Sequence, residues 1–174
     1  LTPIFWYLLK DYQKGRILTF FNPERDPLGS GYHIIQSMIA VGSGGFFGKG
    51  FLKGSQTQLK FLPEQQTDFV FSVFAEEWGF LGGIILLGMF LSLILWGFKI
   101  VIHSRDYLGA LVAFGITMLI FWEVFINIGM VLGMLPVVGI PLPFLSYGGS
   151  AMVVLMTAIG LLMNISVRRF ILQQ

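Results

Sequence analysis

The sequence predicts an all-α polytopic membrane protein. It should hold three complete transmembrane helices plus a truncated one, with a long extracytoplasmic loop that contains short interfacial helices. Three observations carry this expectation. Apolar blocks run over Phe80–Ile102, Leu108–Leu135 and Ala151–Val167, and ~20 helical residues cross the ~30 Å hydrocarbon layer of a bilayer. The chain is 55% hydrophobic, with a mean hydropathy of +0.79. Its charged fraction is 11%, less than half the ~25% of ordinary soluble domains.

Composition also excludes functions. A net charge of +2 on dispersed basic residues gives no footprint for nucleic acid. With no cysteine, disulfides and thiolate metal sites are ruled out. His33 and His103 are the only histidines, too few for a His-rich metal centre.

Along the chain, Leu1–Leu9 is apolar but too short to span, and lacks the basic start and cleavage site of a signal peptide. It is expected to be the end of a truncated transmembrane helix. Residues 10–68 form the long extracytoplasmic loop, punctuated by Pro23, Pro27, Gly29 and Gly31. Within it, Tyr32–Val41 carries Ile34, Ile35, Met38, Ile39 and Val41 at helical spacing, which predicts a short interfacial helix. Gly42–Gly50 (GSGGFFGKG) is too glycine-rich for a helix and should be a shaped loop. Residues 69–174 make a three-span bundle, with an outer re-entrant-like loop over 135–150.

Basic residues set the orientation. Lys99 and Arg105 follow the first span, Arg168 and Arg169 follow the last, and Leu135–Ser150 has none. Lys99–Tyr107 and the C-terminus should therefore be cytoplasmic, with residues 10–68 and 136–150 outside. The outer loop's own Lys10, Lys14, Arg16, Arg25, Lys49, Lys53 and Lys60 run against the rule, which loops near ~60 residues escape.

Polar residues at the ends of the spans are the candidate chemistry. Asp68 lies where polar chain becomes apolar helix. It reads either as an N-cap or as a carboxylate working at the membrane surface. A helix running on from Asp68 would put Ser72, Ala75, Gly79 and Gly82 on one small-residue face, able to admit another helix or a lipid-linked substrate. Glu77 would sit opposite Asp68. In Asn127–Ser150, Pro136, Pro141 and Pro143 break any regular helix, and irregular backbone at membrane depth must be buried in protein or line a cavity. A stiff connector is the plainer reading. Glu123 sits within the second span, one turn before Asn127; it reads either as part of an ion or proton relay or, more plainly, as a neutral acid bonded to a neighbouring helix. The glycine run does not match a nucleotide-binding P-loop, because Gly50 follows Lys49. Its amides, with Lys49, Lys53 and Arg16, would suit a pyrophosphate.

The segments DPLGSGYHIIQSMIAVGSGG (Asp26–Gly45), LPEQQTDFVF (Leu62–Phe71), AEEWGFLG (Ala75–Gly82) and NIGMVLGMLPVVGIPLPFLSYGGS (Asn127–Ser150) resemble the signature segments of the SEDS family of bacterial cell-wall glycosyltransferases, the RodA/FtsW group. The resemblance covers nearly the whole chain, which corresponds to the C-terminal part of a family member, nearer the elongation-type branch. It implies polymerisation of lipid II into glycan strands at the outer face of the bacterial cytoplasmic membrane, with Asp68 as the essential acid. The residues expected around the substrate are Arg16, Lys49, Gln56, Glu64, Thr67, Ser146, Tyr147 and Ser150. It further implies a class B penicillin-binding protein (a transpeptidase) and other elongation-complex membrane proteins as partners. A divalent cation, Mg or Mn, would suit the pyrophosphate, and no metal ligands are assigned. Two positions depart from the family pattern: Gln66 stands where a His often precedes the Thr-Asp pair, and Lys60 where an acid is frequent. A lipid II flippase and a non-catalytic scaffold for a transpeptidase are the rival functions.

Overall fold

The computed structural model describes residues 10–21, 30–51, 53–54, 67–104 and 106–171. Among these the regular elements are helices: α1 (Asp11–Phe21), α2 (Ser30–Ser43), α3 (Val70–His103), α4 (Tyr107–Val131) and α5 (Gly149–Ile171). The last three are long and apolar enough to cross a bilayer. Their outward faces leave Leu87, Leu91, Leu95, Leu111, Phe125, Val154 and Met163 exposed, as helices solvated by lipid do. The chain is a multi-pass membrane protein. The N-terminal block Leu1–Leu9 lies outside the described residues.

The spans fall close to the apolar blocks, with two differences. The second helix stops at Val131 and not at Leu135. Gly133 adopts φ 70°, and the Met134 N–H bonds the Gly129 carbonyl at 2.8 Å while the Gly133 N–H bonds Met130 at 3.0 Å. This is a Schellman stop, which needs the left-handed conformation that glycine adopts without strain. The polar stretch after Lys10 contains α1, which lacks the apolar periodicity that would announce a helix.

The other difference decides the architecture. α3 is two helical segments joined at Gly79, whose φ 68° and ψ −166° are not helical. A dozen residues of straight helix would separate Phe71 from Gly83 by ~18 Å. Instead, Phe71 Cζ lies 3.9 Å from where a Gly83 Cβ would stand. The short segment 70–78 therefore folds back on the long segment 80–103, and the latter matches the predicted span.

Breaking the helix at Gly79 frees two carbonyls and two N–H groups. In an unbroken helix Phe80 would bond Glu76, and Leu81 would bond Glu77. All four groups find partners in the turn after α2. The Lys49 and Gly50 N–H groups donate to the Glu76 and Glu77 carbonyls at 3.0 and 3.1 Å. The Phe80 and Leu81 N–H groups donate to the Gly45 and Phe46 carbonyls at 2.9 and 3.2 Å. The approach is so close that a methyl group at Gly44 or Gly48 would collide with the carbonyls of Ala75 or Glu77. The small-residue face thus exists, with Ser72, Ala75, Gly79 and Gly82 all buried. Around Gly79 its neighbour is this chain's own glycine turn.

α2 packs against α3 and α4 and buries Ile34, Ser37 and Ala40. The buried Ser37 hydroxyl sits 2.9 Å from both the Ile34 and Val131 carbonyls, tying α2 to the end of α4. Below, Gly97 lets Thr117 press against α3, so the two long spans cross closely. The main core joins Phe69, Phe71, Phe90, Ile120, Val124 and Leu142 with neighbouring apolar residues. A second cluster at the opposite end packs Ile100, Ala113 and Leu162.

Gly79→Ala should destabilise the full-length protein by at least ~1–3 kcal/mol, since it adds left-handed strain to a collision with the Gly48 and Phe46 backbone. Gly115→Ala, in α4 with nothing within 4 Å, should leave stability unchanged or slightly raised. Thermal unfolding of both variants in one detergent checks the contrast.

Candidate active site

Asp68 is half-buried in the turn that precedes α3. It is not the helix cap. That position belongs to Phe69, which makes no side-chain capping bond, and the first turn is closed instead by Ser72 N–H to the Phe69 carbonyl at 3.0 Å. Phe69 is almost fully buried and anchors the turn in the core.

Two side chains from elsewhere grip the main chain at Asp68. Asn127 of α4, wholly inaccessible to solvent, donates one amide proton to the Asp68 carbonyl at 2.8 Å and the other to the Ile140 carbonyl at 2.7 Å. The Ser146 hydroxyl donates to the Thr67 carbonyl and accepts the Leu142 N–H at 2.6 Å. The Ser146 N–H returns a 3.0 Å bond to the Leu142 carbonyl, so one serine closes the turn Leu142–Ser146 and ties it to Thr67. Inside that turn Phe144 is held at φ 65°, a strained conformation for a bulky residue that its surroundings must enforce.

The proline loop is thereby tied to the turn that bears Asp68 and to α4. Pro143 and Leu142 are buried. Gly139, at φ 78°, brings its backbone so near the carboxylate that a Cβ there would stand 3.0 Å from Asp68 Oδ2. On the same stretch Arg16 of α1 donates through Nη1 to the Val137 and Val138 carbonyls at 2.9 and 3.3 Å. Arg16 and Asp68 thus meet adjacent residues of one strip, Val137 and Val138 for the former and Gly139 for the latter.

The structure brings together Asp68, Thr67, Ser146 and Arg16. Lys49 serves a different end. Its ammonium lies 2.8 Å from Glu76 Oε1 and 2.8 Å from the Ser43 hydroxyl, and Glu76 is 0% exposed. A carboxylate so deeply buried needs a compensating charge, which turns Lys49 inward rather than toward a pyrophosphate. Tyr147 is exposed next to the loop, and Ser150 is exposed in the first turn of α5. Gln56 and Glu64 lie outside the described residues, as do Lys60 and Gln66.

Glu123 corrects another expectation. No hydrogen bond or ion pair joins it to a neighbouring helix among the described residues. It lines a cavity of about 290 Å³ between α4, the proline loop and α5, together with Pro141, Phe144, Ser146 and Ser150. Sequence reasoning singled out Asn127 only as a neighbour of Glu123. Its signal was a lone amide near the end of an apolar span, where an unpaired polar group is costly. Among the described residues no cluster of three His, Asp or Glu side chains is placed to hold a metal.

Comparison with known proteins gives the following matches. The family profile FTSW_RODA_SPOVE, described as "Cell cycle protein", matches residues 1–170. The chain is 52% identical over 173 residues to "Peptidoglycan glycosyltransferase MrdB" of Escherichia coli K12, covering 99% of this chain and 47% of that protein. It is 50% identical over 162 residues to "Peptidoglycan glycosyltransferase RodA" of Treponema pallidum, covering 93% and 37%. The chain thus spans about half the length of the curated relatives it matches. One solved structure, described as "Structural coordination of polymerization and crosslinking by a peptidoglycan synthase complex", superposes with TM-score 0.73 and 36% identity, over 97% of this chain and 45% of that one. A mutant of rod shape determining protein RodA from Thermus thermophilus gives TM-score 0.59 and 32% identity, over 77% and 40%.

Asn127→Ala should cost ~1–3 kcal/mol, because it leaves two partly buried carbonyls without donors. Lys49→Met should cost more, ~3–5 kcal/mol, by stranding the buried Glu76 charge, and adding Glu76→Met should recover part of that loss. Unfolding of the two single variants and the double variant measures the coupling.

Proposed function

We propose, because the chain belongs to the cell cycle protein family of FtsW, RodA and SpoVE, that it is the catalytic part of a peptidoglycan glycosyltransferase. In this reading the protein polymerises lipid II on the outer face of the cytoplasmic membrane, with Asp68 as general base. The observation that carries the reading is the mooring of the Asp68 turn. Asn127 and Ser146 hold its main-chain carbonyls, and the carboxylate stands against Gly139 at the edge of the proline loop.

The reaction joins two sugars. The 4-hydroxyl oxygen of an acceptor GlcNAc forms a bond to C1 of a MurNAc, and the bond from C1 to the pyrophosphate oxygen breaks. The pyrophosphate leaves with the electron pair, still attached to its undecaprenyl chain. Asp68 takes the hydroxyl proton as the new bond forms, a contribution typically worth ~100- to 10,000-fold in rate.

Charge developing on the leaving group calls for fixed positive charge. Arg16 suits it better than Lys49. Its Nη1 is held by the Val137 and Val138 carbonyls, while a guanidinium carries five N–H donors in all. The remaining donors would serve phosphate oxygens of the leaving group. A divalent cation, where one takes part, would ride on the pyrophosphate, in the manner of Mg²⁺ bound by few carboxylates plus substrate phosphates. Exposed Tyr147 and Ser150, with Gln56 and Glu64 on the outer loop, remain candidates for substrate contact. A class B penicillin-binding protein is the proposed partner. Support comes from the superposed synthase complex, whose description couples polymerization to crosslinking.

The full-length Asp68→Asn protein should bind lipid II but lose polymerisation by at least ~100-fold, read as glycan strands formed from purified lipid II. Retained polymer formation would overturn the base assignment. Normal translocation of lipid II by a variant without polymer-forming activity would favour a flippase. Arg16→Lys should lower the rate less than Arg16→Ala, since an ammonium keeps the charge and loses the planar fork.

A further inference from the structure

We propose that the tip of the turn after α2, formed by Phe46, Phe47 and Phe51, is a wedge that inserts into the phospholipid interface and sets the depth of Asp68. The inference rests on the membrane placement of α3 and not on the glycosyl-transfer reading.

The three rings are 58%, 80% and 72% exposed. Burying a Phe side chain is worth ~1.5–3 kcal/mol, so leaving three of them in water on one short turn is a large unclaimed stabilisation. The patch is continuous with the lipid-facing surface. The Phe46 ring lies 5.2 Å from Phe47 and 5.8 Å from Phe80, and Phe80 begins the exposed apolar face of the long α3 segment. From Phe80 to Ile102 that segment measures ~34 Å at ~1.5 Å per residue. The hydrocarbon layer is ~30 Å and the whole bilayer ~40–45 Å. A turn docked at Phe80 therefore sits at the boundary where aromatic side chains gather. Exposed Lys53, on the same turn, has the long apolar stem and charged head that suit lipid phosphates.

Depth is transmitted because the turn is rigidly joined to the break at Gly79. Its four main-chain bonds to Glu76, Glu77, Phe80 and Leu81 fix the wedge relative to both α3 segments. The short segment then carries Asp68 at its far end. Seating the rings seats the carboxylate.

The 174 residues contain no cysteine, which favours site-specific labelling. Phe47→Cys in a cysteine-free full-length protein would carry a bimane label in nanodiscs of phosphatidylethanolamine and phosphatidylglycerol. Lipids brominated near the headgroup should quench it more than lipids brominated deep in the chain, and aqueous iodide should not. Quenching by iodide would put the turn in water and overturn the proposal. Protection from both quenchers would mean that a protein surface covers the rings, which also overturns it. A second label at Val138→Cys, in the loop against Asp68, reads depth directly by spin-label power saturation. Adding Phe47→Ser and Phe51→Ser, both on the exposed tip, should shift it by several Å. An unchanged depth would sever the link between wedge and carboxylate. Neither measurement uses polymerisation, so failure here is distinct from failure of the enzyme assignment.

Discussion

The broken helix at Gly79 is the constraint on which the rest depends. A helix that stops and restarts within or near a bilayer exposes main-chain groups that lipid cannot satisfy, at several kcal/mol each. Here the break frees two donors and two acceptors, and one glycine turn satisfies all four. The turn can do so only because Gly44 and Gly48 present no Cβ to the backbone of Ala75–Gly79, and Gly79 none to that of Phe46–Gly48. The ion pair between Lys49 and buried Glu76 clasps the same junction from the side chains. Turn, break and clasp are one unit, and removing any member leaves buried polar groups without partners.

The fold-back has a consequence for the carboxylate. On a straight helix Asp68 would stand ~16 Å beyond Gly79, clear of α4. Folding the short segment back lays its start beside Asn127, whose amide then spans from the Asp68 carbonyl to the Ile140 carbonyl. Ser146 makes the parallel connection from Thr67 to the turn of the proline loop. Each tether joins the same two irregular stretches, so the segment that bears Asp68 and the proline loop hold each other in place. The low dielectric around a buried amide strengthens these bonds and makes their loss costly.

Much of this was legible in the sequence. Hydropathy alone marks three spans, because an apolar block of such length has few other uses. Three prolines announce irregular backbone between α4 and α5, and burial of that loop follows from the absence of water in lipid. Asp68 reads as a cap because Asp at the start of an apolar helix usually is one. The structure moves the cap to Phe69, since the turn is fixed from outside by Asn127 and Ser146 and needs no cap from its own side chain. Lys49 reads as a phosphate ligand because it lies in a glycine run. Its partner Glu76 is 27 residues away along the chain, and only the fold brings them together. The break at Gly79 is the hardest feature to foresee. The apolar pattern continues through it, and the compensating bonds come from a turn that looks unstructured when read alone.

The tethers also bear on how an acid can work at such a place. A general base must keep its oxygens positioned for the incoming hydroxyl. Every bond to the ionised form of that side chain favours the form and weakens the base, whereas bonds to the main chain do not. Asn127 and Ser146 grip the main-chain carbonyls of Asp68 and Thr67, so these two bonds hold the turn through its backbone. Gly139 completes the arrangement: with no side chain there, the loop backbone can approach the acid on one side. Arg16 holds the same strip of loop through the Val137 and Val138 carbonyls. In the proposed reaction, base and cation would thereby be referenced to one strip of loop backbone. Such an arrangement would suit a step in which a proton is taken from one sugar while negative charge accumulates on the pyrophosphate leaving the other.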